Sequence, residues 1–552
     1  MRKGEWPSFR ARPYVCGAFG PFSQERLDLL ARSGPVVETA YVTRDAAVLS
    51  SGPLTMYDSS PTMAAFSWGD RTPIAGGDWL HVAEHYEAPG FIDEPASVTL
   101  HTGAFGLIDI YYLTDGDAVY FSGLIEPLLA LARRPHTVNW NAWAAILKLT
   151  YPLLEDTPYA EVRRLPGATA LSWSRDTHRL SVDKRAPRWV REEPFDHGVT
   201  AHDIVSLLHE SLKPYEQVLV PVSGGYDSRL LASVAVAQGK DVVSWTTSPD
   251  DGLDNDIDFA VAVTRELGIP HRIIPQNAAD FPAEARWAAR RLEYLTSHHA
   301  WYSPFARAVH EAGRPVVDGL AGGPLMKNFL MSAAAAATTP LERRQALLKS
   351  MTTGPAHLPV LGEGALAWMD DVVEKTFAQA TSMLNGHRSE LALSVLHTRT
   401  ARGIARSPVN LVGPEATPVF PFLHPGFFDA ALSVPVGRKE GGRFYREILW
   451  AANPKVASLP STNGGLPHRR VPLRSGAAWA REWNHTMLKR VARVPGLLSP
   501  QMAEVVEGGP DALAAFGSWN SRFWLRGLVL FGSWLTDYDE VLGDLTPPWS
   551  SR

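Results

Sequence analysis

A compact apolar run, Gln217-Val-Leu-Val-Pro-Val222, passes directly into Ser223-Gly-Gly-Tyr-Asp-Ser228 and then into Arg229-Leu-Leu-Ala-Ser-Val-Ala-Val-Ala-Gln-Gly239, whose apolar residues recur at helical spacing. No other stretch constrains the chain as much. A buried strand that turns into a helix through two glycines implies a parallel sheet, since the helix carries the chain back for the next strand to run the same way. The next segments fit: KDVVSWTTS from Lys240, DNDIDFAVAVTRELG from Asp254 and HRIIPQ from His271 repeat the order strand, helix, strand. From about Ala283 onward the pattern is mostly helical.

The first part of the chain has another rhythm. Short runs such as VVETAYVT, SVTLHTG and ATALSWSRDTHRLSV alternate in polarity, and a TDGD turn separates two of them, which predicts antiparallel hairpins. The proline- and charge-rich stretch KRAPRWVREEPFDHG after Lys184 reads as a linker. The expected division is therefore 1–195 and 196–552, with the boundary near residue 195.

Composition excludes several classes. With 53 basic and 58 acidic residues the net charge is −5, so no global positive field speaks for nucleic acid. Nowhere do about 18 apolar residues run without a charge or a breaker, so no membrane-spanning helix is expected. The single cysteine, Cys16, rules out an intrachain disulfide and a four-cysteine zinc site, and a reducing, cytoplasmic setting is expected.

The glycine-containing turn is also where chemistry is expected. A helix N-terminus presents unpaired N–H groups and the positive end of the macrodipole, which favour an anion. Gly224, Gly225 and Tyr226 bring backbone close to a phosphate, Ser223 and Ser228 add hydroxyls, and Asp227 offers an oxygen to a phosphate-bound Mg²⁺. The lysine of a Walker loop is missing.

SGGxDS between strand and helix resembles the pyrophosphate loop of the ATP pyrophosphatases, which split ATP between the α and β phosphates. Upstream, GAFGLIDIYYLTDGDAVYFSGLIEPLLAL and TPYAEVRRLPGATALSW, with its Leu165-Pro166-Gly167 turn, are similar to the glutaminase-type domain of class B asparagine synthetases. Downstream, the helix opened by Asp256 and the segment Pro418-Val-Phe-Pro-Phe-Leu-His-Pro425 extend the resemblance over residues 10 to about 460. It implies an α/β protein. Residues 1–195 would form an N-terminal Ntn-hydrolase-like αββα sandwich of the inactive glutaminase type. Residues 196–552 would form an ATP-pyrophosphatase parallel-sheet domain, adenine nucleotide alpha hydrolase-like, with a helical C-terminal extension.

The departures narrow the branch. Glutamine-dependent members use a cysteine directly after the initiator methionine, whose own α-amine serves as base. Here that position is Arg2, and the internal Cys16 has no free amine. Members that lack this cysteine include β-lactam synthetases and lasso peptide cyclases. Tyr445-Arg-Glu-Ile-Leu-Trp-Ala-Ala-Asn-Pro454, Leu459-Pro-Ser-Thr-Asn463 and the tryptophan-rich tail FWLRGLVLFGSWL look like the lasso peptide cyclase branch. The activity implied is adenylation of an Asp or Glu side chain of a leader-free core peptide. The peptide's N-terminal amine then closes a macrolactam, with ATP and Mg²⁺ as cofactors. A leader peptidase and a leader-recognition protein are the implied partners, with no nucleic acid and no membrane. A β-lactam synthetase or other amide ligase, and a catalytically silent binding partner, stay open as alternatives.

The remaining site residues follow from the same resemblance. The family's Gly-x-Gly-x-Asp-Glu segment is matched by Asp318-Gly-Leu-Ala-Gly-Gly323-Pro324, so Gly323 stands where a second metal-binding Asp is expected and Leu320 where an acidic or tyrosine residue assists the amine. Asp318 is the substitute metal ligand, and Gly319 remains for backbone contact with the nucleotide. No lysine follows Leu459-Pro460, which leaves Lys439, Arg443, His468, Arg469 and Arg470 as candidate cations, and Glu415 as candidate base. His298 and His299, with Leu320, are candidates for the peptide pocket. His81-Val-Ala-Glu-His85 matches a metalloprotease pattern, but it lies in a β-rich region without a distal ligand and reads as a chance match.

Overall fold

The computed structural model describes residues 6, 9–60, 63–69, 87–191, 198–247, 255–297, 300–327, 330–352, 359–463, 477–516 and 523–551. The expected boundary at residue 195 lies outside the described residues, as do His81, His85, His298, His299, His468, Arg469 and Arg470.

The chain is mixed α/β. Strands β1 (Val15–Phe19), β2 (Glu38–Val42), β3 (Ala46–Ser50), β4 (Thr55–Ser60), β5 (Met63–Ser67), β6 (Gly90–Asp93), β7 (Ser97–His101), β8 (Tyr111–Asp115), β9 (Ala118–Ser122), β10 (Arg163–Arg164), β11 (Thr169–Ser174) and β12 (Leu180–Lys184) form two antiparallel sheets. Their orders are β10-β8-β9-β1-β3-β2 and β12-β11-β7-β6-β5-β4. Strand alternation explains why they pack face to face: Val15, Phe19, Val48, Val119 and Phe121 of the first sheet meet Phe66, Phe91, Leu100, Leu171 and Trp173 of the second in one apolar core. The intervening residues of the first sheet, among them Cys16, Leu49, Tyr111 and Tyr120, point to its other face, which buries helices Gln24–Arg32 and Trp140–Leu149.

That second core does not respect the sequence order. Trp143 of the early helix packs against Phe531 and Trp534 of the late helix Phe523–Tyr538, with ring centroids 4.5 and 5.0 Å away. Trp534 is fully buried, so this part of the tryptophan-rich tail is core. A buried ion cluster also joins segments far apart in sequence. Asp109, after the loop that leaves β7, receives Arg164 Nε at 2.7 Å, Asn410 Nδ2 at 3.3 Å and the Arg406 guanidinium.

A parallel sheet follows: β13 (Gln217–Val220), β14 (Asp241–Thr247), β15 (His271–Ile274), β16 (Val316–Val317) and β17 (Pro418–Val419), in the order β15-β14-β13-β16-β17. The chain builds outward from β13 in one direction and then returns to build in the other. The crevice for a ligand in such a sheet lies where the order reverses, outside the carboxyl ends of the strands. Here that is between the loops after β13 and β16. No helix among the described residues is long and apolar enough to cross a membrane.

Candidate functional site

Those two loops meet at Asp227. The loop after β13 carries Ser223 to Ser228 into the helix Tyr226–Ala237, as the sequence predicts. Asp227 lies in the first turn of that helix, and the loop after β16 closes directly on it. A Cβ at Gly319 would stand 2.8 Å from Asp227 Cβ, and one at Gly322 only 2.5 Å from Asp227 Oδ1. Both glycines are therefore required by the approach of this backbone to the carboxylate. Ala321, between them, turns the chain with φ of 74°, and the short helix Gly322–Met326 follows.

The end of that helix delivers a residue the sequence reading passed over. Lys327 Nζ lies 3.1 Å from Asp227 Oδ2, and the Tyr445 hydroxyl donates to Oδ1. The ammonium also sits over the rings of Tyr226 and Tyr445, 5.9 and 5.3 Å from their centroids. Burial and the neighbouring Asp227 hold the Tyr445 phenol well above its ordinary range, so it stays a donor. Lys327 is the lone charged residue between Gly319 and Met331, a signal legible in the sequence.

The loop itself is braced from three sides. Gly224 N donates to Asp256 Oδ1 at 2.9 Å, Tyr226 N to Asn463 Oδ1 at 2.9 Å, Gly225 N to Ser223 Oγ at 3.3 Å and Ser223 N to Ser228 Oγ at 2.9 Å. The anion-binding donors thus point at oxygens supplied by the chain itself. Arg229, fully buried, gathers the carbonyls: Gly224 O at 3.0 Å, Gly225 O at 3.0 Å, Leu459 O at 3.2 Å and Pro460 O at 2.8 Å. With Thr462 N donating to Gly224 O at 3.0 Å, the segment Leu459–Asn463 is fastened to the loop. Arg229, Asp256, Asn463 and Tyr445 all stand in segments singled out by sequence, but their roles come from distant contacts.

Other expected site residues divide. Asp318 is brought to the site, one residue beyond β16 and beside Asp227. Removal from water, opposed by the Leu320 N–H and aided by the Asp227 carboxylate, pushes its carboxyl up to about 6. Glu415 is not brought there. Leu219, Val316 and Pro418 are level across the sheet, so Glu415 precedes that level by three residues and Ser223 follows it by four. They therefore lie beyond opposite ends of the parallel strands. Glu415 pairs there with Arg291 at 3.2 Å.

Lys439 is buried, and its Nζ donates to Ala431 O at 2.5 Å at the end of helix Pro425–Ser433. Burial lowers its ammonium to about 7, the reverse of what a pyrophosphate-holding cation needs. Arg443 is exposed and reaches Gly437 O at 3.5 Å. Leu320 is packed into the apolar core beneath the site. Cys16 lies inside β1 with its thiol pushed up to about 12 by burial, which removes it as a nucleophile.

The expected Mg²⁺ ligands do not make a good metal set. Both oxygens of Asp227 already face donors, one of them a cation, and Gly323 supplies no carboxylate, which leaves Asp318 as the carboxylate beside Asp227. No group of three or more His, Cys, Asp or Glu side chains suited to a metal occurs among the described residues. A divalent cation at Asp227 would have to displace Lys327 from the carboxylate, so these residues do not fit one as they stand.

No family model matches the chain, and no curated protein does. Among solved structures it is similar to the structure of NMN synthetase from Francisella tularensis, at 21% identity over 27% of this chain and 68% of that one. The TM-score of 0.16 is too low to carry an argument.

Proposed function

We propose that this chain is an ATP-dependent, AMP-forming amide ligase of the class B asparagine synthetase superfamily, in its lasso peptide cyclase branch. The reading rests above all on one observation: Ser223–Ser228 opens a helix at the point of strand reversal, with the Lys327 ammonium facing it across Asp227. A sheet of this order binds its ligand there, and glycine N–H groups, two serine hydroxyls and an ammonium are donors for a pyrophosphate.

The chemistry is as follows. An Asp or Glu side-chain carboxylate of a leader-free core peptide attacks the α-phosphorus of ATP, and pyrophosphate leaves. The N-terminal amine of the same peptide then attacks the acyl carbon, loses a proton, and AMP leaves as the macrolactam closes. Negative charge grows on the departing pyrophosphate, and the donors stabilise it there when the loop trades Asp256 and Asn463 for phosphate oxygens. Holding carboxylate and amine on one substrate supplies the proximity that the second step requires. The reaction is placed in the cytoplasm, with the core peptide as substrate and a leader peptidase and leader-recognition protein as partners.

One observation favours a second reading, a catalytically silent partner: Leu320 is packed into the core and Gly323 has no side chain, so the positions expected to assist the amine and to bind metal are empty of function. Incubating the chain with ATP, Mg²⁺ and linear leader-free peptides carrying an Asp or Glu, followed by mass spectrometry, separates them. Loss of one water from the peptide with one AMP formed is the expected result. Absence of both, across peptides and small amino diacids, would overturn the ligase reading and favour the silent partner.

A further inference from the structure

We infer that Lys327 stands in for a metal ion at this loop, so that the chain holds the pyrophosphate end of a nucleotide without a protein-bound divalent cation. The inference rests on the nucleotide reading above and deepens it.

Three observations meet in it. The first is a loss: Gly323 carries no carboxylate, and among the described residues Asp227 and Asp318 have no third His, Cys, Asp or Glu with which to hold a metal ion. The second is a gain from the same turn of chain, because Gly319, Ala321 and Gly322 fold the segment tightly over Asp227 and return Lys327 to it at 3.1 Å. The third is the setting of that ammonium. Tyr226 and Tyr445 present their ring faces to it and the Tyr445 hydroxyl takes the other carboxylate oxygen, so the positive charge is held by one carboxylate and two rings.

A divalent ion bound to Asp227 would sit about 2.0–2.1 Å from its oxygens. That would place two units of charge against the ammonium already paired to the same group. Lysine and loop-bound metal are therefore alternatives at Asp227. The lysine has the advantage of being always present, with three donors for non-bridging phosphate oxygens.

Calorimetric titration of the full chain with inorganic pyrophosphate and with ATP, each in EDTA and in Mg²⁺, tests this. The wild-type Kd is expected to change less than threefold between the two conditions. Lys327→Met should weaken metal-free binding at least thirtyfold and should regain at least tenfold with Mg²⁺, because the vacated Asp227 then accepts the ion. Lys327→Arg should stay within fivefold of wild type in EDTA. Wild-type binding that is lost in EDTA but present with Mg²⁺ overturns the inference and leaves the nucleotide reading intact. Binding to neither ligand in either condition removes both. Lys327→Met binding as tightly as wild type in EDTA also overturns it, and if that variant does not fold, the wild-type comparison alone decides.

Discussion

Asp109 and Asp227 are each a carboxylate held by cations, and they differ in nearly everything that matters for function. Asp109 is 1% exposed and clamped by Arg164 and Arg406, themselves 2% and 0% exposed. Asp227 is 27% exposed and faces a lysine 16% exposed. Burial works against the charge on Asp109, but the two guanidiniums outweigh it and hold the carboxyl below its usual range. The first centre is sealed, and it ties a loop of the antiparallel half to residues beyond position 400. The second has the same chemistry with access from solvent. The difference shows how an ion pair becomes a site: its charges must be reachable by a ligand that can exchange partners.

The largest effect should come from the sealed centre. Asp109→Ala strands two buried guanidiniums and is expected to cost about 3–5 kcal/mol of stability, measured by urea unfolding. A cost below about 1 kcal/mol would mean that the clamp is not what ties the Asp109 loop to the segment of Arg406 and Asn410. By contrast Asp227→Asn should leave unfolding within about 1 kcal/mol of wild type while AMP formation falls at least about a hundredfold, close to 2.7 kcal/mol in the barrier. Equal losses of stability at both positions would erase the distinction between them.

What could be read from the sequence follows from how local each feature is. The strand, the glycine turn and the helix of Ser223–Ser228 are contiguous, so propensity and periodicity place them and topology follows. Lys327 is a hundred residues away, and only the turn at Ala321 brings it back; the resemblance directed attention instead to a lysine after Leu459-Pro460. At that position the structure uses the backbone, with Arg229 holding the Leu459 and Pro460 carbonyls. Glu415 failed for a related reason. Its place next to a recognised segment says nothing about which end of a parallel strand it occupies.

A smaller perturbation sharpens the comparison from the side of the glycines. Gly322→Ala pushes a methyl group toward Asp227 Oδ1. It is expected to weaken pyrophosphate binding about tenfold, about 1.4 kcal/mol, in a calorimetric titration, and to lower the unfolding midpoint, since the same methyl group meets the buried Phe422 ring 2.8 Å away. Unaltered binding would show that close packing on Asp227 is dispensable.

The smallest effect concerns Lys439, a buried cation whose Nζ donates to the Ala431 carbonyl. With its pKa lowered to about 7 from 10.5, the unfolded chain binds the extra proton between these values, so stability rises with pH across that window. Below pH 7 the cost of burying the charged form is fully present. Lys439→Met should remove this slope, a difference of about 1 kcal/mol between pH 7 and 8, read from unfolding curves. Identical pH profiles would show that the ammonium is not buried as charge.

The central claim is that the Ser223–Ser228 loop receives the β and γ phosphates as a leaving pyrophosphate. Phosphorus NMR of ATP turned over by the full chain in the presence of the core peptide tests it most directly. AMP and pyrophosphate appearing together, and disappearing in Asp227→Asn, is the predicted result; ADP with inorganic phosphate would contradict it.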